Sequence, residues 1–587
     1  MAWPSCVPAA LSSLGLAILV SAAPLAAHVE RMSPSEIAAA SPAIVVATVE
    51  ARGSRWNALH TLILTDYTLR VEERLRGGEP ERITLTVPGG TLGRIADDSC
   101  LTVHLAAGAR YLLFLSDLGD LEHPTLVPVV GAEQGVFREL PGAAAALVAA
   151  GAGRGPLTLR GAPVTFRDFV GAVRSLAARV PFAPRRASSA AAGQPGLPAK
   201  VWSPLAAPAP VAGALPPQAA PAALLPPLPD AEALAGAERV EIGESEAVLQ
   251  TPRRPAAPAT AKFLYHELAK RPVVVNPLTG SDFAPWDQYQ MAYWNRYSGD
   301  LFRVSPAPTA TWAYNNGISD IVGFPPDAVM KNQYGYGWTD LGQGVLGVTF
   351  ARRVDGVVVE ADVAFNPAKS WTLDDLEATR APDSPFSFKE TVLHELGHVW
   401  GLEHPWDDGD FVAYDSVMNY KFRQYYVAEL FADDAAAVRH AFPPGVAIRD
   451  GLINAYATVP NDRFVIPDYV TPSPKPATVR AGRSFGLNGP IKIENVGTVA
   501  LVNPIVEVYL APQRLSLDGA VLIQRLTIRR KIPPGGVVQF KLTGLKVPLK
   551  TPPGDYGMGY LLRIPKDAYP DNNFAWSLDG FGVTVTR

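Results

Sequence analysis

The stretch that most constrains this chain runs from Thr391 to Pro405, TVLHELGHVWGLEHP. Within it His394, Glu395, His398, Gly401 and His404 fall in the order H-E-x-x-H-x-x-G-x-x-H. Helical side chains four residues apart share a face, so His394 and His398 can direct two imidazoles at one ion. Glu395, beside the first of them, is placed to accept a proton from a water that the ion activates. The helix must end before His404 if a third imidazole is to return to the same point. Gly401 suits that ending, because a left-handed C′ position is least costly without a Cβ. Three neutral imidazoles leave a tetrahedral Zn²⁺ with one open position, the arrangement of a catalytic site rather than a structural one. The helix start is equally marked. Ser387-Phe388-Lys389-Glu390 reads as a capping box, and Val392, Leu393, Leu396 and Val399 to Trp400 supply an apolar face.

The run from His394 to His404, followed by Ser416-Val417-Met418-Asn419-Tyr420, resembles the zinc site and Met-turn of metzincin endopeptidases. Pro405 and Tyr420 are similar to the corresponding marks of serralysins. LGVTFARRVDGVVVEADVAFN, Leu346–Asn366, resembles the strands ahead of the active-site helix in matrixins, and Phe431-Ala432-Asp433-Asp434 to Val438 resembles their closing helix. This resemblance covers about residues 262–450. It implies an α+β fold, His394, His398 and His404 as zinc ligands, Glu395 as general base, and Met418 as the floor beneath the histidines. It also implies that Tyr420 ligates zinc at rest and swings to stabilise the oxyanion. In such a fold a strand edge near the helix would hold substrate as an added strand.

The rest of the chain has room for further domains, since it is 587 residues long. A net charge of −4 gives no bias toward nucleic acid or anionic membranes. Leu11 to Val20 form a short apolar core followed by small residues, Ser21 to Ala27, so residues 1–27 read as a signal peptide and the protein as secreted. No later run reaches the ~18 apolar residues of a membrane span. Of the two cysteines, Cys6 would leave with the signal, so no intrachain disulfide is expected. Cys100, in DDSCLTV, does not match the propeptide motif of matrixins and reads as a buried lone thiol.

Residues 28–180 carry five short strand patterns, Ala43–Val49, Thr61–Val71, Arg82–Val87, Tyr111–Leu115 and Leu126–Val130, which suggest a small all-β barrel of OB type. Residues 181–261 are rich in Ala and Pro and read as an extended linker, with Arg253-Arg254 as a nick site. Trp286–Tyr297 reads as a helix with an aromatic core stripe. Asp407, Asp408 and Asp410 can form either a structural Ca²⁺ site or a solvated loop. Residues 467–587 carry about seven period-2 strands, which suggests an immunoglobulin-like β-sandwich. The runs ENVGTVALVNPIVEVYL and PPGDYGMGYLLRIP there resemble a bacterial CARDB-type adhesion module, which would bind a cell-surface or matrix ligand.

The expectation is a multidomain zinc metalloendopeptidase acting on protein or peptide substrates. The alternative is a secreted adhesion protein whose metzincin domain is a non-catalytic scaffold. A third role, for the N-terminal barrel alone, is inhibitor or chaperone of the peptidase.

Overall fold

The computed structural model describes residues 34–99, 103–116, 128–130, 135–140, 147–150, 158–159, 162–183, 238–242, 248–250, 267–268, 272–278, 283–306, 312, 314, 316–335, 337–341, 345–355, 357–373, 385–402, 416–418, 429–455, 457–459, 468–470, 473–512, 517–577 and 582–587. The signal peptide, Cys6, Cys100 and Arg253-Arg254 lie outside these residues, as do His404, the acidic run 407–410, Tyr420 and the segment 421–426. Among the described residues no helix is long and apolar enough to cross a membrane.

The N-terminal region begins with α1 (Pro34–Ala40) and the strands β1 (Ala43–Trp56), β2 (Ile63–Arg76), β3 (Arg82–Pro88), β4 (Gly90–Leu92), β5 (Ile95–Ser99), β6 (Arg110–Leu115), β7 (Val136–Leu140) and β8 (Leu147–Ala150). A two-stranded hairpin, β9 (Thr158–Leu159) and β10 (Ala162–Pro163), leads into α2 (Phe166–Arg179). Six strands form an antiparallel sheet in the order β3-β2-β1-β6-β7-β8. Alternation explains its two faces. Val45, Ala47 and Val49 of β1 enter a core with Tyr67, Leu69 and Leu113. Ile44 and Val46 enter the opposite core, which Phe166, Phe169 and Val173 of α2 cover. Among the described residues the sheet is open, with β3 and β8 at its ends, where a closed OB-type barrel was expected. Of the expected strand Leu126–Val130, residues 128–130 are described, and among them Val129 forms an isolated bridge to Leu115. β4 and β5 leave this sheet altogether and join the next one.

The expected linker is not uniformly extended either. Its tail carries β11 (Glu238–Ile242), paired in parallel with Val521–Ile528, and β12 (Val248–Gln250), paired antiparallel with Val537–Lys541. β11 and β12 therefore each add an edge strand to a sheet of the C-terminal region. The proline-dense part, 205–229, lies outside the described residues.

The central region contains β13 (Glu267–Leu268), β14 (Val273–Asn276), α3 (Ala284–Tyr297), β15 (Phe302–Val304), β16 (Ser319–Gly323), α4 (Asp327–Tyr334), α5 (Trp338–Leu341), β17 (Gly347–Val354), β18 (Val357–Phe365), α6 (Phe388–Val399) and α7 (Ala432–Ala441). Its sheet runs β15-β14-β16-β18-β17-β5-β4. The first four strands are parallel and buried by helices, whereas β17 returns antiparallel to β18 through a tight turn with Asp355 at φ 54°. Helices α3, α6 and α7 cover one face, with Trp294, Val392, Leu396 and Val438 packed against Val363 and Phe365. This α+β arrangement agrees with the expected central domain, and the expected Trp286–Tyr297 helix extends two residues further at its start, to Ala284.

The C-terminal region packs its strands around one core. Ile491, Ile493, Val538 and Phe540 come from a sheet that contains Pro490–Glu494 and Val537–Lys541. Val506, Val508, Met558 and Tyr560 come from a second sheet that contains Ile505–Ala511 and Gly554–Arg563. Two layers closing on shared apolar side chains make a sandwich, mostly antiparallel but with parallel pairs at Glu238–Ile242 and Thr478–Arg480.

Candidate metal centre

Helix α6 is buried along its whole length, so every polar group on it must be satisfied inside the protein. Ser387 caps it as expected, its hydroxyl accepting from Glu390 N at 3.3 Å. Trp294 of α3 donates its indole N–H to Leu393 O at 2.9 Å and meets the Trp400 ring edge-on, fixing the helix against α3. At the other end, Gly401 sits at φ 90°. Gly401 N donates to His398 O at 2.8 Å and Leu402 N donates to Gly397 O at 2.9 Å. This is the full Schellman pair, so the glycine stops the helix in the way its sequence position implied.

His394 and His398 are 1% and 7% exposed, and their rings face one another. Nδ1 of His394 lies 2.6 Å from Val417 O, and Nδ1 of His398 lies 2.7 Å from Leu402 O. A carbonyl oxygen only accepts, so both Nδ1 atoms carry the proton and both neutral rings present Nε2 as a lone pair. The two Nε2 atoms are 3.0 Å apart. Two lone pairs aimed at each other in a dry site repel unless a cation lies between or beside them. Two Zn–N bonds of about 2.0–2.1 Å can span that gap, so the donors fit zinc. Among the described residues no group of three or more His, Cys, Asp or Glu converges in this way. The third expected ligand, His404, lies outside them.

The floor and its anchor are in place. Met418 is 1% exposed, and its Sδ lies where a Cβ on Gly397 would have to go. The helix therefore carries glycine between its two histidines so that the methionine can pack against its backbone. Asp434 holds the turn below. It accepts from Ser416 Oγ at 2.5 Å, Val417 N at 2.7 Å and Phe431 N at 3.0 Å. Burial pushes its carboxyl up to about 7, against the lowering effect of those bonds. Because Val417 O accepts the His394 proton, the series Asp434, turn, carbonyl, imidazole fixes the tautomer of the first histidine.

Glu395 is fully buried and points toward β17. Thr349 donates its hydroxyl to Glu395 Oε2. Oε1 faces Gly347, where an added Cβ would come within 2.6 Å of it. Thr349, Gly347, Gly397 and Asp434 all shape the site, and sequence reasoning assigned none of them a part. Gly347 and Thr349 lie in a strand pattern that marks them only as strand residues. Asp434 was visible within the Phe431–Val438 run, but its partners could not be.

Residues 330–443 match the matrixin family (Peptidase_M10), so this stretch is matrixin-like and supports a metallopeptidase. A search of curated proteins returned no match. Among solved structures, the chain is similar to the CARDB domain of a Pyrococcus furiosus protein, crystallised in complex with di-metal ions, and to its solution NMR structure. Each is 14% identical with a TM-score of 0.13, covering 24% of this chain and 94% and 98% of the respective domain chains.

Proposed function

We propose that this chain is a secreted zinc endopeptidase whose ion is held by His394, His398 and His404. The observation that carries the reading is the pair of Nε2 atoms 3.0 Å apart, each ring fixed by a carbonyl behind it. Zinc bound there would supply Lewis acidity to a peptide carbonyl and to water. Glu395 takes the proton of the attacking water and returns it to the leaving amine nitrogen. Its carboxylate starts in one rotamer, because the Thr349 hydroxyl holds Oε2 while the bare Cα of Gly347 keeps space beside Oε1. Excluding water around this buried carboxylate strengthens its interaction with each partner. Tyr420, by the family resemblance, donates to the oxyanion as charge develops on the carbonyl oxygen.

Around this core, residues 1–27 act as the export signal, 28–180 as an N-terminal β-domain, 181–261 as a connector, 262–450 as the peptidase and 467–587 as an immunoglobulin-like module for a surface or matrix ligand. A structural Ca²⁺ at Asp407, Asp408 and Asp410 belongs to the same proposal.

Glu395→Gln tests the reading directly. Zinc content by elemental analysis should stay at wild-type level while cleavage of a peptide library falls about 10²–10⁴-fold. Tyr420→Phe should be milder, on the order of 10- to 10³-fold. Wild-type protein that binds zinc and cleaves nothing would instead favour the non-catalytic scaffold.

A further inference from the structure

We infer that the N-terminal region is a retained subunit of this protein: when the chain is cut between residues 250 and 267, the two pieces stay bound as one molecule. Arg253-Arg254, the nick site expected from sequence, falls in that interval. Retention does not depend on the peptidase reading. It bears on that site's regulation, because a region that stays cannot uncover the site by leaving.

The N-terminal piece holds on at two joints, and the first is the seam with the central sheet. β5 lies antiparallel along β17, from Ile95 against Val354 to Ser99 against Phe350. Asp97 and Arg352 are buried in this seam, and Asp97 accepts from Arg352 Nε at 2.8 Å and from Nη2 at 3.0 Å. Both partners are tied again. Asp97 Oδ2 accepts from Ile63 N at 2.8 Å, and Arg352 donates to Thr61 O at 2.7 Å. The guanidinium also lies over the rings of Trp56 and Tyr314. Beside the pair, Leu62 and Leu64 share a core with Met330, Tyr334, Val348 and Phe350. Asn57 Nδ2 donates to Tyr334 O at 3.0 Å, in space that Gly335 leaves bare. Departure of the N-terminal region would open that core to water.

The second joint is on the other flank. β11 runs parallel to Val521–Ile528, from Glu238 against Gln524 to Ile242 against Ile528. β12 runs antiparallel to Val537–Lys541, in a different sheet of the sandwich. Both strands end by residue 250, so after the cut they belong to the N-terminal piece. Their partners belong to the other. The N-terminal piece therefore grips the central and the C-terminal regions at once. If one joint opens, the other keeps it at high effective concentration, and it closes again. A leader made for release needs to pair only with the domain it covers; this one also pairs with the domain beyond.

The test uses the full chain with the recognition sequence of a site-specific protease inserted between Arg253 and Arg254. After complete cutting, size-exclusion chromatography should return both pieces in one peak at the volume of the uncut chain. They should still elute together at about 0.1 μM, a dilution that parts weak, transient contacts. Pieces that elute apart would overturn the proposal. Hydrogen exchange on the unmodified chain reads each joint separately, and it decides even where an insert disturbs folding. Amides of residues 95–99 and 238–242 should be protected to within about a hundredfold of those in 357–365, inside the central sheet. Faster exchange in either segment would mean that its joint opens freely and that the region is not retained as inferred. Neither readout uses turnover, so the peptidase reading can fail while retention stands, and the reverse.

Discussion

The two flanking regions grip the central one by different means. The N-terminal region adds two strands to the central sheet and buries the Asp97–Arg352 ion pair in the seam. Among the described residues the C-terminal region adds no strand to that sheet; it packs Val496 and Val537 into the central core and bonds to helix ends. Glu494 Oε2 accepts from Ala432 N at 2.8 Å at the start of α7, and Asp450, the last residue of the central region, accepts from Tyr297 OH at 2.6 Å at the end of α3. Asn572 donates to the other oxygen of Asp450, and Arg296 pairs with Asp571 while stacking over Tyr293 and Tyr569. Backbone pairing fixes where a neighbour's strand must lie, residue by residue. Side-chain bonds to helix ends orient a neighbour without extending the sheet, and here they include one carboxyl, Asp450, that burial pushes up to about 7.

Breaking the first grip should cost most. Asp97→Ala leaves Arg352 buried without its carboxylate, and such losses typically destabilise by about 3–5 kcal/mol. Urea unfolding should show it as a lower midpoint, and a midpoint equal to wild type would mean that water reaches the seam. The second grip should answer to pH. Burial pushes Asp450 up to about 7, with the nearby Asp567 charge adding to the rise, while bonds from Tyr297 and Asn572 oppose it. Its folded value lies above its unfolded one, so the folded state binds the extra proton. The contribution is complete below about pH 4 and is lost as pH rises through about 7. The apparent Tm should therefore fall between about pH 4 and 7, and Asp450→Asn should flatten that fall; an unchanged slope would place the titration elsewhere. The smallest effect belongs to Arg94→Ala. Arg94 and Asp355 pair across the same N-terminal seam but in solvent, so the urea midpoint should not move. A shift as large as that of Asp97→Ala would show that exposure does not separate the two pairs.

Much of the candidate site was legible because it is local. Histidines four apart, a serine cap and a glycine stop are properties of one helix, and each appears where its spacing placed it: Ser387 at the start, Gly401 in the left-handed conformation, both Nε2 atoms on one face. The strand runs at Val357–Phe365 and Val521–Ile528 were equally readable, because apolar patterning and β-branched residues report burial within a single segment.

What the sequence by itself determined is thus that His394, Glu395 and His398 share one capped, buried helix, with both imidazoles on one face. Only the tertiary structure decided what lies against that helix. Thr349 and Gly347 belong to a strand nearly fifty residues earlier, and Asp434 reaches the Met-turn from the helix that follows it. Ile95–Ser99 was not among the expected strands, yet it joins the sheet of another region, and Glu238–Ile242, inside an expected linker, joins a third. The physical reason is that strand pairing joins backbones. Backbone N–H and C=O groups are the same at every residue, so a segment's own side chains can say that it is a strand without saying whose edge it will close.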